Sequence, residues 1–290
     1  MSRQSISNRL KAMDVWVSKK PQYETIVELH KGILRILLEI EKTPNKGATR
    51  AFKNKEINSL IDKTLTSKNP IIKLIEPSLF KGNIMTDSTI QATEHLSRSG
   101  SDEWNLCKIL EALRSNELDV DKAIMAVINE DSDWFVKTGE IYKVDSSVLI
   151  YIFGLPLQPF FEDLSRRVQS RLRETWFESY CPVCGRQSVV AKMIERKRYM
   201  VCMYCGTEYL TDQFTCVNCG NRDPNTLGFI ALEGYPGYEL DYCEKCSNYV
   251  KVIYPDRIAE EIPQGFEDLF TLYIDDLAKK TGLGLRRSVY

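Results

Sequence analysis

Residues 181–185 read CPVCG, residues 202–206 CMYCG, residues 216–220 CVNCG and residues 243–246 CEKC. Four Cys-x-x-Cys pairs therefore follow one another in one segment, and they use eight of the nine cysteines of the chain. A two-residue gap lets both thiolates of a pair reach one ion from a single tight turn, and two such turns complete a tetrahedral four-cysteine site. Eight ligands make two sites. The 17 residues between Cys184 and Cys202 and the 23 between Cys219 and Cys243 each suit a hairpin, and the 10 between Cys205 and Cys216 suit a linking strand. This predicts a first site from Cys181, Cys184, Cys202 and Cys205 and a second from Cys216, Cys219, Cys243 and Cys246. A cross-braced arrangement, first knuckle with third and second with fourth, is the alternative. Such sites accept Zn²⁺ and iron alike.

Other uses of the cysteines fit less well. A disulfide framework needs an oxidising compartment. The opening MSRQSISNRLKAMD has no apolar h-region or cleavage pattern. No apolar run approaches the roughly 18 residues that would span a membrane. A reduced, cytoplasmic setting with no membrane contact is expected. A redox Cys-x-x-Cys would stand alone beside a βαβ pattern, and iron–sulfur clusters prefer three close cysteines and a distant fourth. Cys107 lies in the helical pattern WNLCKILEAL and is read as a core residue.

Around the knuckles the pattern is strand and turn. Val189–Glu195 and Arg198–Cys202 read as a hairpin about Arg196-Lys197, followed by a strand over Glu208–Thr215. The design recurs as Gly228–Leu232, Tyr238–Tyr242 and Asn248–Ile253. Gly185 relieves its knuckle where a positive φ is needed.

Outside this segment the chain reads as helical. Gln22–Lys42 carries the clearest apolar stripe, with Pro21 at the first turn and Lys42 and Lys46 at the end. Further helices are expected over Asn8–Val17, Lys55–Leu65, Asp87–Leu96, Glu103–Ser115, Val120–Asn129, Ser146–Phe153 and Phe160–Trp176. Asp102 and Asp119 are expected as caps. Turns are expected at Lys81-Gly82-Asn83 and Ser99-Gly100-Ser101. Arg166, Arg167, Arg171 and Arg173 on the Phe160–Trp176 helix are read as a solvated face. The tail Phe266–Thr281 returns to a helix, with Leu269, Leu272, Tyr273, Asp276 and Leu277 at helical steps, ended by Gly282 and Gly284. The fold class is α+β: an all-helical domain over residues 1–178, four-cysteine ribbons over 179–214 and 215–255, and a C-terminal helix and tail over 256–290.

At 290 residues, 43% hydrophobic and 27% charged, the composition suits a globular chain of about two domains. Between Cys181 and Cys246, seven Lys/Arg stand against eight Asp/Glu. A nucleic-acid-binding ribbon would want a cationic excess, so no nucleic-acid partner is expected. Arg196-Lys197-Arg198 is the one basic feature, read as a hairpin tip. A rubredoxin-like electron carrier is a further alternative, although a large helical domain would then lack a purpose. Nothing favours an enzyme. His30 and His95 both lie on helical patterns, and four-cysteine sites leave no open coordination position. No catalytic residue is assigned.

The segments CPVCG (181–185), MVCMYCGTEY (200–209), FTCVNCG (214–220), LDYCEKCSNYVKVI (240–253) and FEDLFTLYIDDLAKKTG (266–282) resemble the formate dehydrogenase accessory protein family, FdhE, in the order and gaps of all four knuckles. NRLKAMDVWVSKKPQYETIVELHKGIL (8–34) is similar to the family's helical start. The chain departs from many members in having Tyr209, and no arginine before Cys216, where they carry Trp and Arg after the second knuckle. The resemblance implies a cytoplasmic assembly factor rather than an enzyme. Such a protein assists maturation of a molybdenum- or tungsten-containing formate dehydrogenase by interacting with its catalytic subunit. Its cysteine sites are expected to resemble rubredoxin iron sites or zinc ribbons. On that reading Tyr204, Tyr209, Tyr242 and Tyr249, beside the knuckles, are candidates for partner binding.

Overall fold

The computed structural model describes residues 4–42, 52–99, 104–259 and 262–284. Within them the helices are α1 (Ile6–Lys19), α2 (Glu24–Lys42), α3 (Asn54–Ser67), α4 (Asn83–Ser99), α5 (Leu106–Arg114), α6 (Val120–Asn129), α7 (Ser132–Tyr142), α8 (Ser146–Gly154), α9 (Gln158–Leu172) and α10 (Leu272–Lys280). The strands are β1 (Val190–Ile194), β2 (Lys197–Val201), β3 (Glu208–Thr211), β4 (Leu227–Ala231), β5 (Tyr238–Cys243) and β6 (Asn248–Ile253). No single helix among the described residues is long and apolar enough to cross a membrane. Two compact units result. One comprises Gln4–Lys53 and Ile75–Asp163, the other Asn54–Leu74 and Leu164–Ser288, so α9 changes unit at residue 164.

The first unit is helical, with α4 packed against α2, α5, α6 and α8. Phe80 sets its edge on Phe160 at 4.8 Å between centroids. Arg9 Nη2 lies 2.7 Å from Glu162 Oε2, both side chains withdrawn from solvent. Gly32 exists for His95: the imidazole lies over it and bonds the Leu29 carbonyl at 2.9 Å, where any Cβ on residue 32 would collide with the ring. Asp119 caps α6 by accepting from the Lys122 N–H at 3.1 Å. Asp102, Lys46 and most of the Ser99-Gly100-Ser101 turn lie outside the described residues.

Two features of this unit differ from expectation. Helix α7 has no apolar stripe to announce it, because it buries Phe135, Thr138 and Gly139 while Val136 and Ile141 are exposed. Cys107 is exposed rather than in the core. The buried face of α5 runs through Leu106, Ile109, Ala112 and Leu113, one step away from it.

The second unit is built on one six-stranded sheet in the order β3-β2-β1-β6-β5-β4. Each ribbon supplies three antiparallel strands. A parallel pairing of β1 with β6, Val190 opposite Lys251 and Lys192 opposite Ile253, joins them into a continuous sheet. Every residue of β6 is buried. Helix α10 covers one face, where Ile274 and Ala278 meet Leu232, Leu240 and Tyr249. The stripe expected through Leu272, Asp276 and Leu277 is rotated. Ile274, Asp275 and Ala278 are buried instead, and Leu277 is partly exposed. The β3 edge is occupied: the Gln169 amide exchanges two hydrogen bonds with the Glu208 main chain (2.8 and 3.1 Å), and the Arg173 carbonyl accepts from the Leu210 N–H at 2.9 Å.

Candidate metal centres

Three knuckles share one backbone design. The first cysteine N–H bonds the carbonyl five residues on: Cys181 to Arg186 (2.9 Å), Cys202 to Thr207 (2.9 Å) and Cys216 to Asn221 (2.8 Å). The next glycine then donates back to the first cysteine carbonyl (2.8 to 2.9 Å), with φ between 72 and 78° at Gly185, Gly206 and Gly220. Only glycine enters that left-handed region without cost. The fourth knuckle places Ser247 there, at φ 55°.

These turns bring the eight thiols into two groups of four: Cys181, Cys184, Cys202 and Cys205, and Cys216, Cys219, Cys243 and Cys246. Within each group the sulfurs lie within 4.8 Å of one another. Cys181–Cys205 and Cys184–Cys202 are 3.5 Å apart, Cys216–Cys246 3.7 Å and Cys219–Cys243 3.8 Å. None is a disulfide. A tetrahedral ion with metal–sulfur bonds of about 2.3 Å has sulfur–sulfur edges of about 3.8 Å. Each group therefore has the donors and dimensions to hold one ion, zinc or iron.

The groups differ in exposure. All four thiols of the first are buried. In the second Cys219 is exposed, Cys216 and Cys246 are half-buried, and only Cys243 is buried. Burial pushes the Cys181 and Cys184 thiols well above their ordinary range. Cys202 moves well below it, because the thiols of Cys181, Cys184 and Cys205 donate to its sulfur. Burial also takes Cys216 up to about 12. At Cys246 burial acts upward too, but the Asn248 N–H, the Asn218 side chain and the neighbouring thiols bring it down to about 7. Four thiols packed so closely cannot all ionise without a cation among them.

Two supporting residues escaped the sequence reading. Thr207 Oγ1 lies 3.0 Å from Cys205 Sγ and 2.8 Å from Ser165 Oγ. Asn221 Nδ2 reaches Cys243 Sγ at 3.4 Å and Thr226 Oγ1 at 2.7 Å. Both stand two residues after a knuckle's second cysteine, a position held by a polar residue after every knuckle (Arg186, Thr207, Asn221, Asn248). Polar groups aimed at ligating sulfur orient it and spread its charge.

The four tyrosines have different surroundings. Tyr209 is fully buried with its hydroxyl 3.1 Å from Ser188 Oγ. Tyr249 is buried and donates to Asp275 at 2.7 Å. Tyr204 is half-buried under the Arg186 guanidinium, 3.6 Å from its ring. Tyr242 is half-buried over Gly228. The basic tip is smaller than expected, because Arg198 is buried beside Asp241 at 3.3 Å, and Lys197 lies 3.3 Å from Glu174. Arg171 and Arg173 pair with Asp62 (2.7 Å) and Glu208 (3.4 Å).

No model of a protein family matches the chain. A curated relative called Protein FdhE homolog, from Aquifex aeolicus, is 30% identical over 166 residues, 56% of this chain and 55% of that protein. Another, from Stutzerimonas stutzeri, is 30% identical over 119 residues, 39% of this chain and 38% of that protein. The chain thus spans about half or less of the curated relatives it matches. The crystal structure of the FdhE protein from Pseudomonas aeruginosa superposes with a TM-score of 0.65 at 17% identity, covering 100% of this chain and 96% of that one. The chain, with its two four-cysteine groups, is thus similar in sequence to curated FdhE homologues and in fold to the Pseudomonas FdhE protein.

Proposed function

We propose that this chain is a cytoplasmic accessory protein, not an enzyme, that assists maturation of a formate dehydrogenase by binding its catalytic subunit. Cys181, Cys184, Cys202 and Cys205 ligate one metal ion, and Cys216, Cys219, Cys243 and Cys246 a second. The observation carrying this reading is the pair of four-thiol groups at tetrahedral spacing, taken with the likeness to FdhE proteins. An ion bound there would supply cross-linking: four thiolates fill its shell and leave no position for a substrate. Gly185, Gly206 and Gly220 turn the chain so that its sulfurs converge, and Thr207 and Asn221 brace them. The product is a rigid platform whose task is to present surface.

The test is deletion of the protein from a cell that makes formate dehydrogenase, with enzyme activity assayed in extracts and the catalytic subunit sought in a pull-down. Loss of activity with recovery of the subunit is expected. Unchanged activity and no association would remove the proposal. One observation favours a rubredoxin-like electron carrier as the second reading, namely the exposed Cys219 in the second group. A reversible redox couple in the iron-loaded protein would promote it.

A further inference from the structure

The two edges of the sheet are treated differently. At β3 the outer main chain is bonded by Gln169 and Arg173. At β4 no described residue does this. The Glu244 N–H bonds the Thr226 carbonyl and the Leu232 N–H bonds the Tyr238 carbonyl. Hydrogen-bonded pairs alternate along an antiparallel ladder. With Leu227 opposite Cys243 and Ala231 opposite Glu239, the N–H and C=O groups of Leu227, Phe229 and Ala231 point away from β5. They have no partner among the described residues. The strand reads LGFIA, with none of the charges or prolines that protect edges, and Phe229 is 67% exposed.

Beside this edge, on the face of the sheet opposite α10, lies a groove of about 620 Å³. Met193, Val250, Leu227, Phe229 and the exposed Phe214 give it an apolar lining. Its carboxylates are satisfied internally: Asp241 by Arg198 at 3.3 Å, and Glu239 by the Tyr254 hydroxyl at 2.6 Å. Two guanidiniums have no direct contact with a described carboxylate. Arg222 and Arg257 both line the groove and make no ion pair among the described residues. They stand at opposite ends. Arg222 follows Asn221, which bonds Cys243 beside Leu227. Arg257 lies 4.1 Å from the Tyr254 ring, whose hydroxyl reaches Glu239 opposite Ala231. The five residues of β4 span the interval between them.

We propose that this groove binds an extended polypeptide segment that adds to β4 as a seventh strand, with apolar side chains against Phe229 and an acidic residue at the Arg257 end. Main-chain bonds to Leu227, Phe229 and Ala231 supply affinity, and alternate side chains supply selection. The acid is placed at Arg257 because the Asp212 carboxylate already acts on the Arg222 charge. The proposal holds whichever protein supplies the segment, so it stands or falls apart from the formate dehydrogenase reading.

The test uses the full-length, metal-loaded chain and fluorescein-labelled peptides in anisotropy titrations. The probe is Glu-Val-Phe-Val-Glu, acetylated and amidated. Controls are Lys-Val-Phe-Val-Lys and the acidic peptide N-methylated at alternate residues, which removes its edge-bonding N–H groups. Saturable binding of the acidic peptide is expected, with both controls weaker by about tenfold or more. Phe229→Ser and Arg257→Glu should each weaken it by a similar factor, the loss typical of a central interface contact, while metal content and circular dichroism stay unchanged. Absence of binding, or equal binding of either control, would overturn the proposal. So would a dimer of the free protein that Phe229→Ser dissolves without any peptide binding, which would assign the edge to a second copy of the chain.

Discussion

Lys251 Nζ, on the central strand β6, lies 3.0 Å from Asp275 Oδ2 on α10, and neither side chain is open to solvent. The same carboxylate accepts from the Tyr249 hydroxyl at 2.7 Å, and Lys251 also donates to the Asp268 carbonyl at 3.0 Å. The C-terminal helix is therefore held on the sheet by a buried charge network as well as by the apolar contact of Ile274 and Ala278 with Leu240.

Removing Lys251 leaves the buried Asp275 charge without its cation, which costs about 3–5 kcal/mol, whereas removing the Asp275 charge leaves Lys251 the Asp268 carboxylate at 2.5 Å. Lys251→Met should lower stability by that order in urea unfolding, and Asp275→Asn by less, because Asp268 still neutralises Lys251. Lys251→Met combined with Asp275→Leu should recover much of the loss. A double variant as unstable as the sum of the singles would show that the pair is not coupled.

The two metal centres should yield to chelation in order. Cys219 is exposed, whereas the first group is buried throughout. Metal release into a chromogenic chelator should show two phases, the faster belonging to the second group. Cys216→Ser should abolish the fast phase and Cys181→Ser the slow one. A single phase carrying both ions would contradict the difference in burial.

An ideal Cβ on Gly32 would stand 2.0 Å from the His95 ring. Gly32→Ala should displace His95 from the Leu29 carbonyl and cost about 1–3 kcal/mol, as overpacking does. Adding His95→Ala should recover part of this in thermal unfolding. An unchanged melting temperature for Gly32→Ala would refute the contact.

Acid should destabilise the ribbon unit through Glu208. Burial alone would raise its carboxyl, but Lys192, at 3.1 Å, and Arg173 hold it below its ordinary value of 4.5. A depressed folded value means that the stabilisation is complete above about 4.5 and is lost as pH falls through the lower folded value. Lys192 is the mirror case. Burial lowers it, yet Glu267 and Glu208 raise it beyond 10.5, so its contribution is lost only as pH rises through that raised value. Lys192→Met should move the acid unfolding midpoint upward, with metal content followed in the same samples. An acid limb identical to the parent's would contradict this.

Much of this fold is legible in the sequence because its signals are local. The knuckles announce themselves by spacing and glycine, the hairpin strands by lying between them, and α6 by its Asp119 cap and continuous apolar face. What escapes reading depends on partners far along the chain. The parallel joint of β1 and β6 leaves no alternation in β6, which is buried on both faces. The buried stripe of α10 passes through Asp275, a residue that only Lys251 and Tyr249 explain. Arg198 looks like a hairpin-tip cation until Asp241, on another ribbon, receives it. Residues 54–74 group with the ribbons because the N–H groups of Ile71 and Ile72 bond the carbonyls of Pro182 and Val183, at 2.8 and 3.0 Å, inside the first knuckle.

The measurement that bears most directly on the central claim is metal content with X-ray absorption on the full-length protein purified without added metal or chelator. Two zinc or iron ions per chain are predicted, each with four sulfurs at about 2.3 Å and no nitrogen or oxygen ligand. A folded protein carrying one ion or none, or a shell with fewer than four sulfurs, would contradict the account.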